Sequence, residues 1–288
     1  MKIHGTTKIT GLFGFPVEHS LSPSMHNAAF EYLGLDYCYV TFPVRPDLLG
    51  DAVNAIRALD LQGINVTVPH KENVLRFLDT VNEEAIFIGA VNTIQNAAGR
   101  LIGHNTDGRG FMESLTDARI EIKGRAVLII GAGGACRAVS YYLSEKTSRL
   151  QIFDIDAGKV EKLVSDLSMI RPNVSRRKDL DTLEGVDMVI NATPLGLKIT
   201  DSSPVDVSLF TEKMTVCDLI YKETPLLAAA SKKGCKTLNG LGMLLHQGVL
   251  AFEIWTGIKP PVDIMRNAIS GLADESSCSQ QFHRAEQK

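Results

Sequence analysis

Residues Arg125–Glu145 read RAVLIIGAGGACRAVSYYLSE, and this stretch decides the fold. The apolar run Val127–Ile130 predicts a buried strand, the glycine-rich turn Gly131-Ala132-Gly133-Gly134-Ala135-Cys136 follows it, and a helical pattern comes next. Strand, glycine turn and helix in that order are the context in which such a turn cradles a dinucleotide. Gly131 permits the tight turn, and Gly133 lets the backbone approach a pyrophosphate. Gly134 and Ala135 open a helix whose N-terminus supplies free N–H groups and a partial positive charge. Cys136 stands where a third glycine often falls, and its small side chain still fits against the strand. About 20 residues beyond Gly131 the next apolar strand ends at Asp154, an acid placed to bind the adenosine ribose hydroxyls.

The same alternation extends in both directions. Beyond the turn, RLQIFDID, VDMVINATPLGL and MTVCDLIY read as strands, and AGKVEKLVSDLSMI and TPLLAAASKKGC as helices. This run of βα units predicts a Rossmann-type doubly wound dinucleotide domain over residues 108–240. Before it, KITGLFGFPV, YCYVTFPV and GINVTVPH read as strands. SPSMHNAAFEYLGL and DLLGDAVNAIRAL read as helices, the first with Ser22 as its N-cap and Pro23 in its first turn. KENVLRFLD reads as a further helix, and AVNTIQNAAGRLIGHNTD as two strands around a glycine-containing turn. Residues 1–107 therefore predict a second α/β domain with a mostly parallel sheet covered on both faces. MLLHQGVLAFEIWTG and VDIMRNAISGLA are helical again, and the polar stretch Asp274–Lys288 has no apolar stripe and reads as a frayed tail.

The bulk numbers agree with two α/β domains. At about 150 residues per domain, 288 residues make roughly two. The hydrophobic fraction of 44% is enough for a core in each, and a net charge of -3 lacks the basic footprint of a nucleic-acid binder. Neither a signal peptide nor an apolar run long enough to span a membrane is present. The five scattered cysteines form no C-x-x-C pair and no zinc-ligand spacing, so reduced thiols, a cytoplasmic location and no metal site are expected.

A second group of polar residues gathers in the first domain: Ser20, Ser22, Asn65, Thr67, Lys71, Asn92, Thr106 and Asp107. Most fall at strand ends or just beyond, where open α/β sheets bind ligands. Hydroxyls and amides in that position suit a substrate with several hydroxyl groups. Taken singly, each is as readily a cap or a turn former.

Motifs along nearly the whole chain resemble the shikimate dehydrogenase family. They are GFPVEHSLSPSMHNAAF, GINVTVPHKENV, GAVNTI, HNTDGRGF, GAGGACRA, INATPLG, DLIY, TPLL and GMLLHQGVLAFEIWTG, in the family's order. The resemblance implies two domains with substrate held in a cleft between them, residues 241–273 returning to complete the first. It implies reversible NAD(P)-linked oxidation of shikimate at C3 to 3-dehydroshikimate, a step of aromatic amino-acid biosynthesis. Carried over by motif, Lys71 and Asp107 are the catalytic pair. Ser20 and Ser22 hold the substrate carboxylate, and Asn65, Thr67, Asn92, Asp107 and Gln247 meet the ring hydroxyls. Tyr221 and Gly242 lie near substrate and nicotinamide, and Thr193 belongs to the cofactor set. A lysine in reach of the reacting oxygen can act as general acid/base or stabilise a developing alkoxide.

One departure bears on the cofactor. NADP-using relatives often carry Asn-Arg-Thr or similar after the second strand of this domain, whereas this chain has Asp154-Ile155-Asp156. Lys159 is the nearest basic residue, so NAD is expected to be favoured, with NADP as the second option. The alternatives are an NAD-linked enzyme accepting quinate as well as shikimate and, more remotely, a nucleotide sensor without catalysis. Against the sensor stands the intact Lys71–Asp107 pair. The expected state is monomer or homodimer.

Overall fold

A computed structural model of the chain describes residues 2–198 and 200–278. Up to the end of the first sheet the elements are β1 (Lys8–Gly14), α1 (Ser22–Tyr32), β2 (Tyr37–Pro43), α2 (Leu49–Ala58), β3 (Gly63–Val66), β4 (Thr80–Val81), α3 (Glu83–Ile88), β5 (Thr93–Ala97) and β6 (Arg100–His104). There follow α4 (Asp107–Asp117), β7 (Ala126–Ile130), α5 (Gly134–Lys146), β8 (Arg149–Phe153), α6 (Ala157–Ser168), β9 (Val174–Arg176), β10 (Met188–Asn191), β11 (Thr215–Asp218), α7 (Pro225–Lys232) and β12 (Lys236–Leu238). Two helices close the chain, α8 (Leu241–Thr256) and α9 (Val262–Cys278). The chain divides into two compact units, one made of residues up to Thr106 with those from Leu245 onward, the other of Asp107–Leu244. The second division falls inside α8, a few residues past the expected boundary at 241.

The first unit is built on a sheet in the order β2-β1-β3-β5-β6-β4. β1 runs parallel to β2 and β3, and β4 parallel to β6, while β5 is antiparallel to both β3 and β6. The reversal comes from a two-residue turn in which Ala98 and Gly99 both take positive φ, 53° and 90°, as the tightest hairpins require. Turning β5 round sets its first residue, Thr93, opposite Asn65 near the end of β3, which matters for the site. The core on one face comprises Phe13, Val53, Ile56, Ile64, Ile94 and Leu101.

On the other face α8 lies against the sheet. The Trp255 indole N–H donates to the Ile94 carbonyl at 3.0 Å and the Gln95 amide donates to the Ile254 carbonyl at 3.1 Å. Gly63 makes room for the indole, since a Cβ there would stand 2.0 Å from Trp255 Nε1. Overpacking of this kind costs about 1–3 kcal/mol. Gly63→Ala is therefore expected to lower the urea midpoint by that equivalent, and an unchanged midpoint would show that α8 lifts away without cost.

Three expectations need correction here. Ser22 is not the N-cap of α1: Leu21 caps it without a side-chain hydrogen bond, and Ser22 is the first helical residue. The KENVLRFLD segment forms only a short 3-10 turn, Asn73–Phe77, in which Val74 alone is buried. A segment of five residues is too short to offset the cost of nucleating an α-helix. The first five residues of the expected tail, 274–278, continue α9, and the rest lies outside the described residues.

The second unit holds six parallel strands in the order β12-β11-β10-β7-β8-β9. This is the doubly wound order in which the chain starts centrally at β7, winds out to β9, and then crosses to β10 on the other side. Leu128, Ile130, Val189, Val216 and Leu226 fill its core. Capping starts the helices where the strands end. Asp156 accepts from the Lys159 N–H at the start of α6, and Thr224 from the Leu227 N–H at the start of α7, where Pro225 follows. Among the described residues no helix is long and apolar enough to cross a membrane, and Cys38, Cys136, Cys217 and Cys235 are buried free thiols.

Candidate functional site

In the interior of the first sheet the ends of β3 and β6 lie beside the start of β5. The antiparallel hairpin thus gathers Asn65, Asn92, Thr93 and Thr106, all buried. The Asn65 amide donates to the Asn92 carbonyl at 3.2 Å and to Thr93 Oγ1 at 3.1 Å. Its carbonyl oxygen accepts from the Tyr39 hydroxyl at 2.9 Å. The Asn92 side-chain oxygen accepts from the Thr93 hydroxyl at 3.0 Å and the Thr106 N–H at 2.8 Å, and its amide donates to Thr106 Oγ1 at 2.9 Å. Burial holds the Tyr39 hydroxyl well above the usual phenol range, with the nearby Ser22 hydroxyl pulling the other way, so Tyr39 stays a neutral donor.

This network sets what Asn65 can recognise. Both of its N–H groups are used, while its side-chain oxygen has accepted one bond out of two. A ligand group meeting Asn65 must therefore donate, as a hydroxyl does. Tyr39 is a member that sequence reasoning missed; in YCYVTFPV it reads as one more apolar strand residue. The His26 ring stacks on it at 4.5 Å and 8°, and burial lowers the His26 pKa to about 3, leaving a neutral ring.

The other expected residues of this unit lie nearby in the chain. The Ser20 hydroxyl accepts from the Ser22 N–H at 3.3 Å, in the turn between β1 and α1. Thr67 follows β3, and its N–H donates to the Phe13 carbonyl at 2.9 Å. Lys71 is half-buried, with its carbonyl accepting from the Val91 N–H at 2.8 Å. Two cis peptides, Phe15-Pro16 and Val68-Pro69, shape the turns carrying Ser20 and Lys71. Gln247 is half-buried on α8. Asp107 is buried as the first residue of α4.

In the second unit the strand order reverses between β7 and β10, and Gly131 and Thr193 lie in the loops that follow these two strands. Gly131 has φ +109°, and a Cβ there would stand 2.8 Å from the Ala192 carbonyl, so the two crossing loops touch only because it is glycine. Gly133 caps α5, and neither Gly133 nor Gly134 has any atom within 4 Å of where a Cβ would stand. Open space before a helix N-terminus fits a pyrophosphate. One Asp154 oxygen accepts from the Ala132 N–H at 2.7 Å and the other from the Asp156 N–H at 2.9 Å. The carboxylate thus braces the glycine turn from the end of β8. Ala135 is half-buried in the first turn of α5. Thr193 stands just past β10, its hydroxyl donating to Asn191 Oδ1 at 2.7 Å.

Lys159 is not drawn to Asp154; its ammonium pairs with Asp156 at 3.6 Å. Gly242 packs on Ser114, where a Cβ would approach to 2.9 Å. Tyr221 is half-buried, its hydroxyl pushed above the usual range by burial, and its carbonyl accepts from the Asn239 amide at 3.3 Å. Among the described residues no group of three His, Cys, Asp or Glu could hold a metal ion.

A doubly wound unit with a braced glycine turn, joined in one chain to an α/β unit carrying a buried polar network, defines a dinucleotide-dependent dehydrogenase. Residues 12–94 match the family described as shikimate dehydrogenase substrate binding domain, and residues 240–269 the shikimate 5'-dehydrogenase C-terminal domain. The chain is 46% identical to shikimate dehydrogenase (NADP(+)) of Desulforamulus reducens, over 93% of this chain and 96% of that protein. Among solved structures, a shikimate dehydrogenase in complex with NADP+ has a TM-score of 0.88 at 42% identity, covering 95% of this chain and 97% of the other. The Listeria monocytogenes shikimate 5-dehydrogenase in complex with shikimate and NAD has a TM-score of 0.86 at 37% identity, covering 93% and 98%. The chain belongs to the shikimate dehydrogenase family, whose members are NAD(P)-dependent oxidoreductases acting on a CH–OH group.

Proposed function

We propose that this protein reversibly oxidises the C3 hydroxyl of shikimate to the ketone of 3-dehydroshikimate. The observation that carries the reading is the buried network Tyr39–Asn65–Thr93–Asn92–Thr106. It pre-orients amides and hydroxyls at the ends of adjacent interior strands and leaves Asn65 an acceptor for a substrate hydroxyl. The relatives named above carry shikimate in their names, which favours shikimate over the quinate alternative. Lys71 takes up the proton of the reacting hydroxyl during oxidation and returns it during reduction. Asp107 supplies the second catalytic group. Thr67, Asn92 and Gln247 complete recognition of the ring hydroxyls, and Ser20 and Ser22 hold the carboxylate.

A nicotinamide cofactor bound to the second unit supplies the hydride acceptor. Gly131, Gly133, Gly134 and Ala135 would hold its pyrophosphate, and Asp154 its adenosine ribose. Thr193, Tyr221 and Gly242 would stand on the nicotinamide side. NAD is the preferred form, because an acid and not an arginine follows β8.

The test is a matrix of shikimate and quinate against NAD and NADP on purified protein. Turnover of shikimate at least about 10-fold more efficient than of quinate is expected, a gap of 1.4 kcal/mol. Better use of quinate would overturn the assignment. Ser20 gives a second check. A hydrogen bond to a charged group is worth about 1.5–3 kcal/mol, so Ser20→Ala is expected to raise KM for shikimate roughly 10- to 100-fold with less effect on kcat. Ser22→Ala is less clean, because Ser22 is also the buried first residue of α1. An unchanged KM in Ser20→Ala would place the carboxylate elsewhere.

A further inference from the structure

Asp218, the last residue of β11, is buried and all of its hydrogen-bond donors are neutral. One oxygen accepts from the Asn191 amide at 3.1 Å and from the Ile220 N–H at 3.0 Å; the other accepts from the Thr224 hydroxyl at 2.7 Å. Asn191, the last residue of β10, is equally committed. Its amide also donates to the Leu195 carbonyl at 3.0 Å, and its side-chain oxygen accepts from the Thr193 N–H at 3.0 Å and the Thr193 hydroxyl at 2.7 Å. Asp218 and Asn191 are side by side in the β10–β11 register. Two adjacent strand ends are thus joined by one carboxylate–amide contact, and each of the two loops that leave them is folded back onto its own strand.

Those loops carry Thr193 and Tyr221. The first loop also crosses Gly131, whose missing side chain lets Ala192 come close. The second is held from its far side as well, by the Gly240 N–H on the Ile220 carbonyl at 2.9 Å and the Asn239 amide on the Tyr221 carbonyl. A buried carboxylate with only neutral donors is a costly way to join two strands, since burial penalises its charge and raises its pKa. Apolar packing would join them more cheaply. What the carboxylate adds is direction: three donors meet two oxygens at set angles.

The geometry points to Asp218, acting through Asn191, as a positioning residue for the nicotinamide side of the cofactor site, setting the Thr193 and Tyr221 loops together. This rests on the proposed cofactor reading of that edge of the second sheet. No contact with cofactor or substrate is assigned to Asp218 itself. Its role is one of shape, so an asparagine can fill it. Its oxygen would keep the two N–H donors, and its amide would donate to Thr224 Oγ1, which can accept.

The experiment compares wild type, Asp218→Ala, Asp218→Asn and Asn191→Ala. The readings are cofactor Kd by fluorescence titration, KM for cofactor and for shikimate, kcat and melting temperature. Asp218→Ala and Asn191→Ala are expected to raise Kd and KM for the cofactor about 10-fold, the scale of one lost hydrogen bond, with KM for shikimate changed less. Asp218→Asn is expected to stay within about twofold of wild type. Asn191→Ala retains the Asp218 bonds to Ile220 and Thr224, so it reports on the link even if Asp218→Ala fails to fold. A lower melting temperature with unchanged cofactor Kd in both alanine variants would overturn the positioning role and leave a structural one. An asparagine variant as impaired as the alanine variant would overturn the argument from shape. Wild type that binds neither NAD nor NADP would overturn the underlying cofactor reading instead.

Discussion

Lys71→Ala is expected to lower turnover by about 100-fold or more, the scale of a general acid–base contribution. The side chain is half-buried in the turn after β3, and the main-chain bond that fixes this turn, from the Val91 N–H to the Lys71 carbonyl, does not involve it. Folding and cofactor binding should therefore survive. The variant should melt near wild type and titrate with NAD normally while kcat collapses. Because the lost interaction belongs to the transition state, kcat and kcat/KM should fall together. Near-wild-type turnover would remove Lys71 from the mechanism. Loss of the fold along with activity would show that the turn depends on the side chain after all.

The second large expected effect is the proposed preference for NAD, which would set this chain apart from relatives named for NADP(+). Asp154 holds the Ala132 and Asp156 N–H groups, so its carboxylate is fixed at the end of β8, where the adenosine ribose is proposed to lie. A 2′-phosphate in the same space brings a charge of about -1.5 to -2. Two unit charges 4 Å apart repel by about 1 kcal/mol in water and about 4 kcal/mol at an effective dielectric of 20. The basic residues that could relieve this are engaged elsewhere. Lys159 pairs with Asp156, Arg176 with Glu161, and Arg177 with the Gln151 side chain and the Asp179 and Thr182 carbonyls. Ile155, where an arginine would serve, is 96% exposed and apolar. At saturating shikimate, kcat/KM is expected to favour NAD at least about 10-fold, and Asp154→Asn should narrow that ratio. Equal or better performance with NADP would sink the role given to Asp154 and show that one of these cations leaves its partner for the phosphate.

The second unit was the more legible in sequence, for physical reasons. Its strands are buried on both faces and appear as unbroken apolar runs such as Val127–Ile130, and its turn is spelled in glycines. The first unit was legible in its parallel strands but not in its shortest elements. β4 has two residues and α3 six, too few for a period to show. The family resemblance marked the proposed substrate residues one by one. It did not mark Tyr39, Asn191 or Asp218, whose importance lies in hydrogen bonds between residues far apart in sequence. Ser22 suits a helix cap by residue type, but the helix starts one residue sooner than that and takes Ser22 as its first member.

The covering of β3 and β5 by α8 has a consequence for how the protein is made. The second unit is one continuous stretch and can fold as soon as it has left the ribosome, as domains generally do during synthesis. The first unit cannot follow the same schedule. Gly63 and Ile94 emerge early, but the indole that covers them belongs to Trp255. Until then the strands laid down first wait with an apolar face uncovered, and the domain that begins the chain is the last to be finished.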